Sequence, residues 1–490
     1  MTGREKKIEI VKNTAIAALL VALVCLCTIY LFSYQGSATP AFTREAFEAL
    51  DDESVRYRYQ NYLSPAYTRP SFIGLSATAL GEPVGFCRGG TDIEELYEEI
   101  TPFFGKLFGT GSRSQILSAA EGESAFLAAL AGDYIYLSFP CDLPKSVLLA
   151  LTEPAAMAGG VSGEYLRELL IVPEEEAVSG VVMLKNGMLA HQTVFGFSAL
   201  ARNADGIWYR FTTSYVPDSL DAVGFHTNLY AAYNTIANAF PFQFACLIRE
   251  DAFLTANGFS EKVTDTTVIP GSAIFQPSLV MTRKTRGEDE MRALLETLYM
   301  KPQKVSVYTD EAGTRYYFDE GETLKISTDG VVEYVASEEN GIPLSTILGY
   351  PGTGREYGVS DHLGAVLILL NSLDTVRAVR ETAGMDVVLC GIVFDGETVT
   401  FRFGYTQDNL PVFVNGRAEH VRISVRDGKI CEVVCDAAMF GEGENFKRIP
   451  DMMLTLRTYL LKDSGRCRAF PAYAFESGVA ESDVVIVKMP

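Results

Sequence analysis

An uncharged, mostly apolar run of about 21 residues, Thr14 to Tyr34, opens the chain and decides where the rest of it can fold. At roughly 1.5 Å per helical residue it reaches about 30 Å, the thickness of a bilayer's hydrocarbon core. Arg4, Lys6, Lys7 and Lys12 precede it, so the positive-inside rule keeps the tail, residues 1–13, in the cytoplasm. Everything after Tyr34 is then expected outside a cell membrane that the chain crosses once. The rival reading is a cleaved signal peptide, with Gly36-Ser37-Ala38 near the cut. Signal h-regions run about 7–15 residues, which favours an uncleaved anchor at 14–34. Cys25 and Cys27 within the span read as small apolar fillers. Ala15, Ala17, Ala18 and Ala22 would let a neighbouring helix approach closely. Ala18 and Ala22 form a small-xxx-small pair and are the candidate partner-binding residues.

The stretch after the span is too long for one hydrophobic core, and three domains are the natural expectation. Hydrophobic residues make up 48% of the chain, with 29 Phe and 24 Tyr, enough to build those cores. The formal net charge of −21, less the tail's +2 from four basic and two acidic side chains, leaves about −23 outside. Such a surface repels nucleic acid and anionic headgroups, and it also serves simply to keep a protein soluble. Nine cysteines less the two in the span leave an odd seven, which is no dense disulfide framework. Cys431 and Cys435, four apart on an expected strand, would stand about 13 Å from each other, too far for a bridge.

Two periodicities alternate along the chain. Helices are expected over Thr43–Tyr62, from a capping box at Asp92-Ile93-Glu94-Glu95 to failure near Pro102, and around Leu229, Tyr233, Ile236 and Phe240. Another should run from Glu288 to Met300, with Met291, Leu294, Leu295 and Leu298 on one face. The longest should begin at Ser360-Asp361, with Asp361 as N-cap, and reach Thr382 before Gly384; a last one covers Asp451–Lys462. Between them the period falls to two, as where Val421, Ile423 and Val425 alternate with Arg422, Ser424 and Arg426. Asn186-Gly187, Asp205-Gly206, Asp329-Gly330, Asp395-Gly396, Asn415-Gly416 and Asp427-Gly428 can each supply a tight hairpin turn. The fold class is therefore α+β, with antiparallel meander sheets and packed helices rather than a βαβ nucleotide fold. At an offset of 97 residues, Tyr308-Thr309, Tyr316 and Leu324–Ser327 match Tyr405-Thr406, Phe413 and Val421–Ser424. This suggests two related late domains, and the expected divisions are 35–220, 221–345 and 346–490.

Motifs for chemistry are sparse. His191, His226, His362 and His420 are scattered without zinc spacing, and no Cys-x-x-Cys, G-x-S-x-G, S-x-x-K or phosphate-binding loop occurs. Asp361-His362 resembles half a dyad, but neighbours on a helix point about 100° apart. Glu94-Glu95, Glu98-Glu99, Glu174-Glu175-Glu176 and Glu338-Glu339 read as solvated faces or loops, although two glycosidase acids could sit unseen among 62 Asp and Glu. Trp208 and the tyrosines suit sheet faces more simply than a sugar platform. No catalytic, cofactor-binding or metal residues are assigned, and no cofactor is expected.

With a basic tail, one span and three exterior α+β domains, the layout resembles the YycH/YycI proteins. The closest local likeness is Phe401-Arg402-Phe403-Gly404-Tyr405, then Leu410-Pro411-Val412-Phe413-Val414 and the sheet through Val434. That family often has an Asn-Gly turn before its "PV" strand, where this chain has Asp408-Asn409. The resemblance implies a membrane-anchored, non-enzymatic accessory regulator of a WalK-type cell-wall sensor histidine kinase in Gram-positive bacteria. Its partners would be that kinase and a sister regulator, and no functional contact is transferred residue by residue. Two other readings stand beside it: an extracytoplasmic binder of peptides or wall fragments that could also inhibit a wall enzyme, and a wall hydrolase.

Overall fold

The computed structural model describes residues 67–76, 84–87, 97–98, 100–109, 112–129, 132, 134–152, 163–183, 189–213, 242–247, 267–270, 275–283, 285–349, 357–407, 410–436, 438–448, 467–475 and 479–488. The expected span, Ala18 and Ala22 lie outside these residues. So do the helices expected at Thr43–Tyr62, around Leu229 and at Asp451–Lys462, the Asp92 capping box and the Asn186-Gly187 turn. Residues Tyr59–Pro490 form one unit by their internal contacts. Its architecture is α+β, with two large sheets whose described pairs are antiparallel save one.

The first sheet has nine strands: β1 (Phe72–Ser76), β2 (Val84–Cys87), β3 (Ser112–Leu117), β4 (Tyr134–Pro144), β5 (Tyr165–Met183), β6 (Leu189–Arg202), β7 (Trp208–Thr213), β8 (Phe242–Leu247) and β9 (Thr267–Pro270). They lie in the order β3-β7-β6-β5-β4-β1-β2-β8-β9. Helices α1 (Pro102–Phe108), α2 (Ala119–Ala129) and α3 (Lys145–Ala150) accompany them. The helix expected to fail near Pro102 does so, with Tyr97, Glu98 and Ile100 helical and Thr101 a turn; Pro102 then opens α1, because a proline at the first helical position forfeits only an N–H that has no intrahelical partner. Ser118 and Glu121 start α2 reciprocally: Ser118 N–H donates to Glu121 Oε2 at 3.1 Å, and Glu121 N–H donates to Ser118 Oγ at 3.3 Å. The Ser118 hydroxyl, which donates to Glu121 Oε2 at 2.6 Å, and then the Ser118 N–H hold the Glu121 carboxyl below its ordinary range. Gly122 is the buried floor on which Trp208 rests, and a Cβ added there would overlap the indole. Phe126, Tyr136, Leu170 and Leu200 complete that cluster.

The second sheet has fourteen strands: β10 (Phe275–Arg283), β11 (Ser306–Thr309), β12 (Arg315–Asp319), β13 (Glu322–Ile326), β14 (Val332–Ala336), β15 (Ile342–Pro343), β16 (Asp386–Asp395), β17 (Thr398–Gln407), β18 (Leu410–Val414), β19 (Val421–Arg426), β20 (Lys429–Cys435), β21 (Ala438–Arg448), β22 (Cys467–Phe475) and β23 (Val479–Lys488). The main path is β11-β12-β13-β14-β20-β19-β17-β18-β22-β23-β10-β21, and β18–β22 is the parallel pair. The pairing of β14 with β20 carries the sheet straight through the division expected at 345/346. The repeated segments therefore share one sheet, and they differ in pairing, since β12 joins β13 whereas β19 joins β17.

Helix α4 (Glu288–Thr297) buries Met291, Leu294, Leu295 and, just beyond its end, Leu298, as the spacing predicts. After α5 (Leu344–Leu348), the expected long helix is two: α6 (Val359–Ser372) and α7 (Asp374–Ala383), bent by 70°. Buried Leu373 takes an extended conformation, φ −66° and ψ 127°, and breaks the ladder, while Gly384 ends α7 left-handed at φ 60°. Asp361 is not the N-cap but the third helical residue, accepting Gly358 N–H at 2.9 Å. Among the described residues no single helix is long and apolar enough to cross a membrane; α6 and α7 pass such a test only as a bent pair.

Asn415-Gly416 and Asp427-Gly428 have positive φ at both residues, as a type I′ turn requires. At Asp205-Gly206 and Asp329-Gly330 only the glycine is positive, and Asp395 belongs to β16 with Gly396 leading the turn. Arg286 locks the centre of the fold. Its side chain is 3% exposed, with Nε donating to Asp374 Oδ2 at 2.9 Å, Nη2 donating to Asp374 Oδ1 at 3.1 Å and to Thr375 Oγ1, and Nη1 donating to Gly330 O at 3.3 Å. Replacing Arg286 by Ala leaves a half-buried carboxylate without its cation and should cost about 3 kcal/mol in urea unfolding followed by circular dichroism. Gly122→Ala should cost about 1–3 kcal/mol through overlap with Trp208, despite alanine's better helix propensity.

Candidate interaction surface

The strands β12, β13, β14, β20, β19 and β17 present one continuous pair of faces, because each register step keeps residues on the same side. The inner row runs Tyr317, Leu324, Tyr334, Val433, Ile423 and Phe401, all buried. The outer row, one residue away, runs Tyr316, Lys325, Glu333, Val434, Arg422 and Arg402. Charges pair along it. Lys325 Nζ donates to Glu333 Oε2 at 2.7 Å, and this bond raises the lysine's pKa. Arg422 Nη2 donates to Glu432 Oε1 at 2.9 Å, and Ser424 Oγ donates to Glu432 Oε2 at 2.9 Å.

Toward the end of the sheet this ladder gives way to aromatics. Tyr308 and Tyr316 have ring centroids 6.0 Å apart, and Tyr316 and Phe318 stack with centroids at 6.2 Å and planes 6° apart. Phe318 is 43% exposed, Tyr308 57% and the neighbouring edge residue Val307 61%. Val335, on the same face but separated from Phe318 by Thr323, is exposed as well. The turn beneath is fixed by Asp310, whose Oδ1 accepts Thr314 N–H at 2.8 Å and whose Oδ2 accepts the Tyr316 hydroxyl at 3.3 Å. Gly313, at φ 83°, supplies the left-handed residue of that turn. An exposed aromatic cluster of this kind, bordered by paired charges, has the make-up of a protein interaction surface. In the sequence its only trace is the period-two aromatics Tyr316 and Phe318 near Tyr308; nothing local marks them as outward.

Among the described residues, no three His, Cys, Asp or Glu side chains stand close enough to hold a metal ion. His191 lies on β6 opposite Val181, and His226 is outside the described residues. His362 is half-buried on α6, and burial lowers its pKa against the smaller opposing pull of Asp361. Asp361 is held by its cap. His420 is a joint of the sheet: Nε2 donates to Val412 O at 3.0 Å, and the ring stacks on Tyr405 at 4.6 Å between centroids. Glu338 and Glu339 are exposed, as is Glu98. Trp208 is buried, with the Arg202 guanidinium 5.3 Å above its ring. Cys431 and Cys435 are not bridged to each other. No family model matches the chain, and no curated protein matches it either.

Glu322, at the start of β13, accepts the Tyr334 hydroxyl at 3.0 Å. Burial raises its pKa, against the lowering effect of that bond and of Gly341 N–H. Its protonated form is thus favoured in the folded state, so its contribution to stability is present in acid and lost as pH rises through the raised value. Glu322→Gln keeps an acceptor for Tyr334 and removes this loss. The melting temperature of Glu322→Gln minus that of the unsubstituted chain should increase between pH 4 and pH 7.

Proposed function

We propose that this chain is a single-pass, membrane-anchored extracytoplasmic regulator without catalytic activity of its own. In this reading it modulates a two-component sensor kinase of cell-wall homeostasis through its span and its exterior surface. The observation that carries the reading is the exposed Tyr308–Tyr316–Phe318 cluster at the end of the second sheet. Aromatic side chains left in water lose favourable burial that a partner protein would restore. The basic-flanked run Thr14–Tyr34 supports the anchor, and the likeness in layout to the YycH/YycI proteins supports a sensor kinase, with a sister regulator as a further partner. The finer division into exterior parts 35–220, 221–345 and 346–490 accompanies this reading, with β10–β15 of the middle part and the strands of the last in one sheet and β8–β9 of the middle part in the first. Ala18 and Ala22 are the proposed contact within the bilayer.

A second reading, a binder of peptides or wall fragments, is favoured by end strands that pair on one side only among the described residues. Strand β3 at one end of the first sheet and β11 at one end of the second offer backbone groups that could pair an extended peptide.

The test is a membrane pull-down of the intact chain beside one whose span is replaced by an unrelated helix. Recovery of a histidine kinase only with the native span, and its loss on Ala18→Ile with Ala22→Ile, places the contact in the bilayer. Recovery with both places it outside, and Tyr308→Ser with Phe318→Ser should then reduce it while costing no more than about 1 kcal/mol of stability apiece. Absence of any kinase from both samples overturns the kinase reading.

A further inference from the structure

Among the described residues strand β11 pairs with β12 alone, on one of its two sides. The direction of its backbone groups follows from the hairpin. Asp310 N–H donates to Thr314 O at 3.0 Å, toward β12. Backbone direction alternates along a strand, so the amides of Ser306 and Tyr308 also face β12, while those of Val307 and Thr309 face outward. All four side chains of β11 are exposed.

We propose that β11 pairs antiparallel with β11 of a second copy of this chain, about a two-fold axis at Val307, so that the sheet continues from one copy into the other. The charges decide for a second copy and for this register. An axis at Val307 sets Val307 against its own counterpart, Ser306 against Tyr308, and Lys304 against Asp310. Lys304 is exposed in the turn before β11, and Asp310, whose carboxylate is bonded to Thr314 and Tyr316, stands at the turn after it, so a cation comes near an anion twice, once on each side of the axis. An axis one residue later, at Tyr308, would set Lys304 against Ala312 and Asp310 against Ser306, and no charges would meet. With the axis at Val307 the two Tyr308 rings lie diagonally across it on the outer face, within reach of each other. A two-fold perpendicular to the sheet also keeps both aromatic clusters on the same side. The edge is short and each copy carries −21, so the pairing is weak and salt-dependent. It stands apart from the kinase reading, since the experiment contains no kinase.

The full chain in detergent micelles is taken through sedimentation from about 1 to 200 µM at 0.15 M salt, where charges are screened beyond about 8 Å. A monomer–dimer equilibrium is expected. Val307→Pro should weaken it at least tenfold, because the lost N–H points outward and the β12 ladder survives. Lys304→Glu should weaken it similarly, and unchanged circular dichroism identifies both variants as folded. Under mild oxidation Val307→Cys should give a covalent dimer above the background from the native cysteines, with Tyr308→Cys and Thr309→Cys at background. A monomer at every concentration overturns the proposal and leaves the edge to a strand of another protein. A dimer indifferent to Val307→Pro, or cross-linked by Tyr308→Cys instead of Val307→Cys, overturns it too.

Discussion

A single guanidinium holds the seam of the second sheet. Arg286 reaches the Asp374 carboxylate and Thr375 hydroxyl at the start of α7, and the Gly330 carbonyl in the turn between β13 and β14. The charge of Arg286 is also felt by Cys435, whose thiol burial pushes up to about 12. Cys435 lies opposite both Val332 and Val421, where β20 is clasped between β14 and β19. A buried arginine is stable only with its hydrogen-bond donors met, and here three nitrogens find partners on two segments. The turn of the early meander and the bent helix pair therefore share one electrostatic anchor.

From that seam the alternation of the strands does the rest. One side of β12–β20 fills with Tyr317, Leu324, Tyr334 and Val433, none of which meets much water. The other side must be made tolerable in solvent. Along β13, β14, β19 and β20 this is achieved by ion pairs bridging adjacent strands, each modest because partly exposed. At β11 and β12 the device changes to bare rings, which do not solvate well and which mark the place where a partner would gain most by binding. A second tie joins the two sheets: Tyr67 donates to Asn371 beneath the Arg380 guanidinium, and Arg69 meets Asp386 at 3.2 Å.

The local features of the fold were legible in the residues. Met291, Leu294, Leu295 and Leu298 declared α4, and Asn415-Gly416 and Asp427-Gly428 declared their turns. The I′-like turn at Glu320-Gly321 was not anticipated, because glutamate seldom takes positive φ and carries no turn signal. Leu373 escaped notice since helical periodicity continues through it; only its burial in an extended conformation breaks α6 from α7. Ser118-Ala119-Ala120-Glu121 has the spacing of a capping box and starts α2. The pairing of β14 with β20 brings together residues about 100 apart, and no local pattern encodes it. The interaction surface was hidden for the same reason: a strand's period tells which residues share a face, not which face meets water.

Trp208 is the only tryptophan in the chain, and it is enclosed by Gly122, Phe126 and Arg202 in the first sheet. Its emission is consequently a private reporter of that sheet. Loosening of the second sheet around Arg286 would leave the indole in place and alter only the tyrosine signal. The chain thus carries its own spectroscopic means of distinguishing a molecule whose two sheets melt together from one whose outward, ring-bearing sheet opens first.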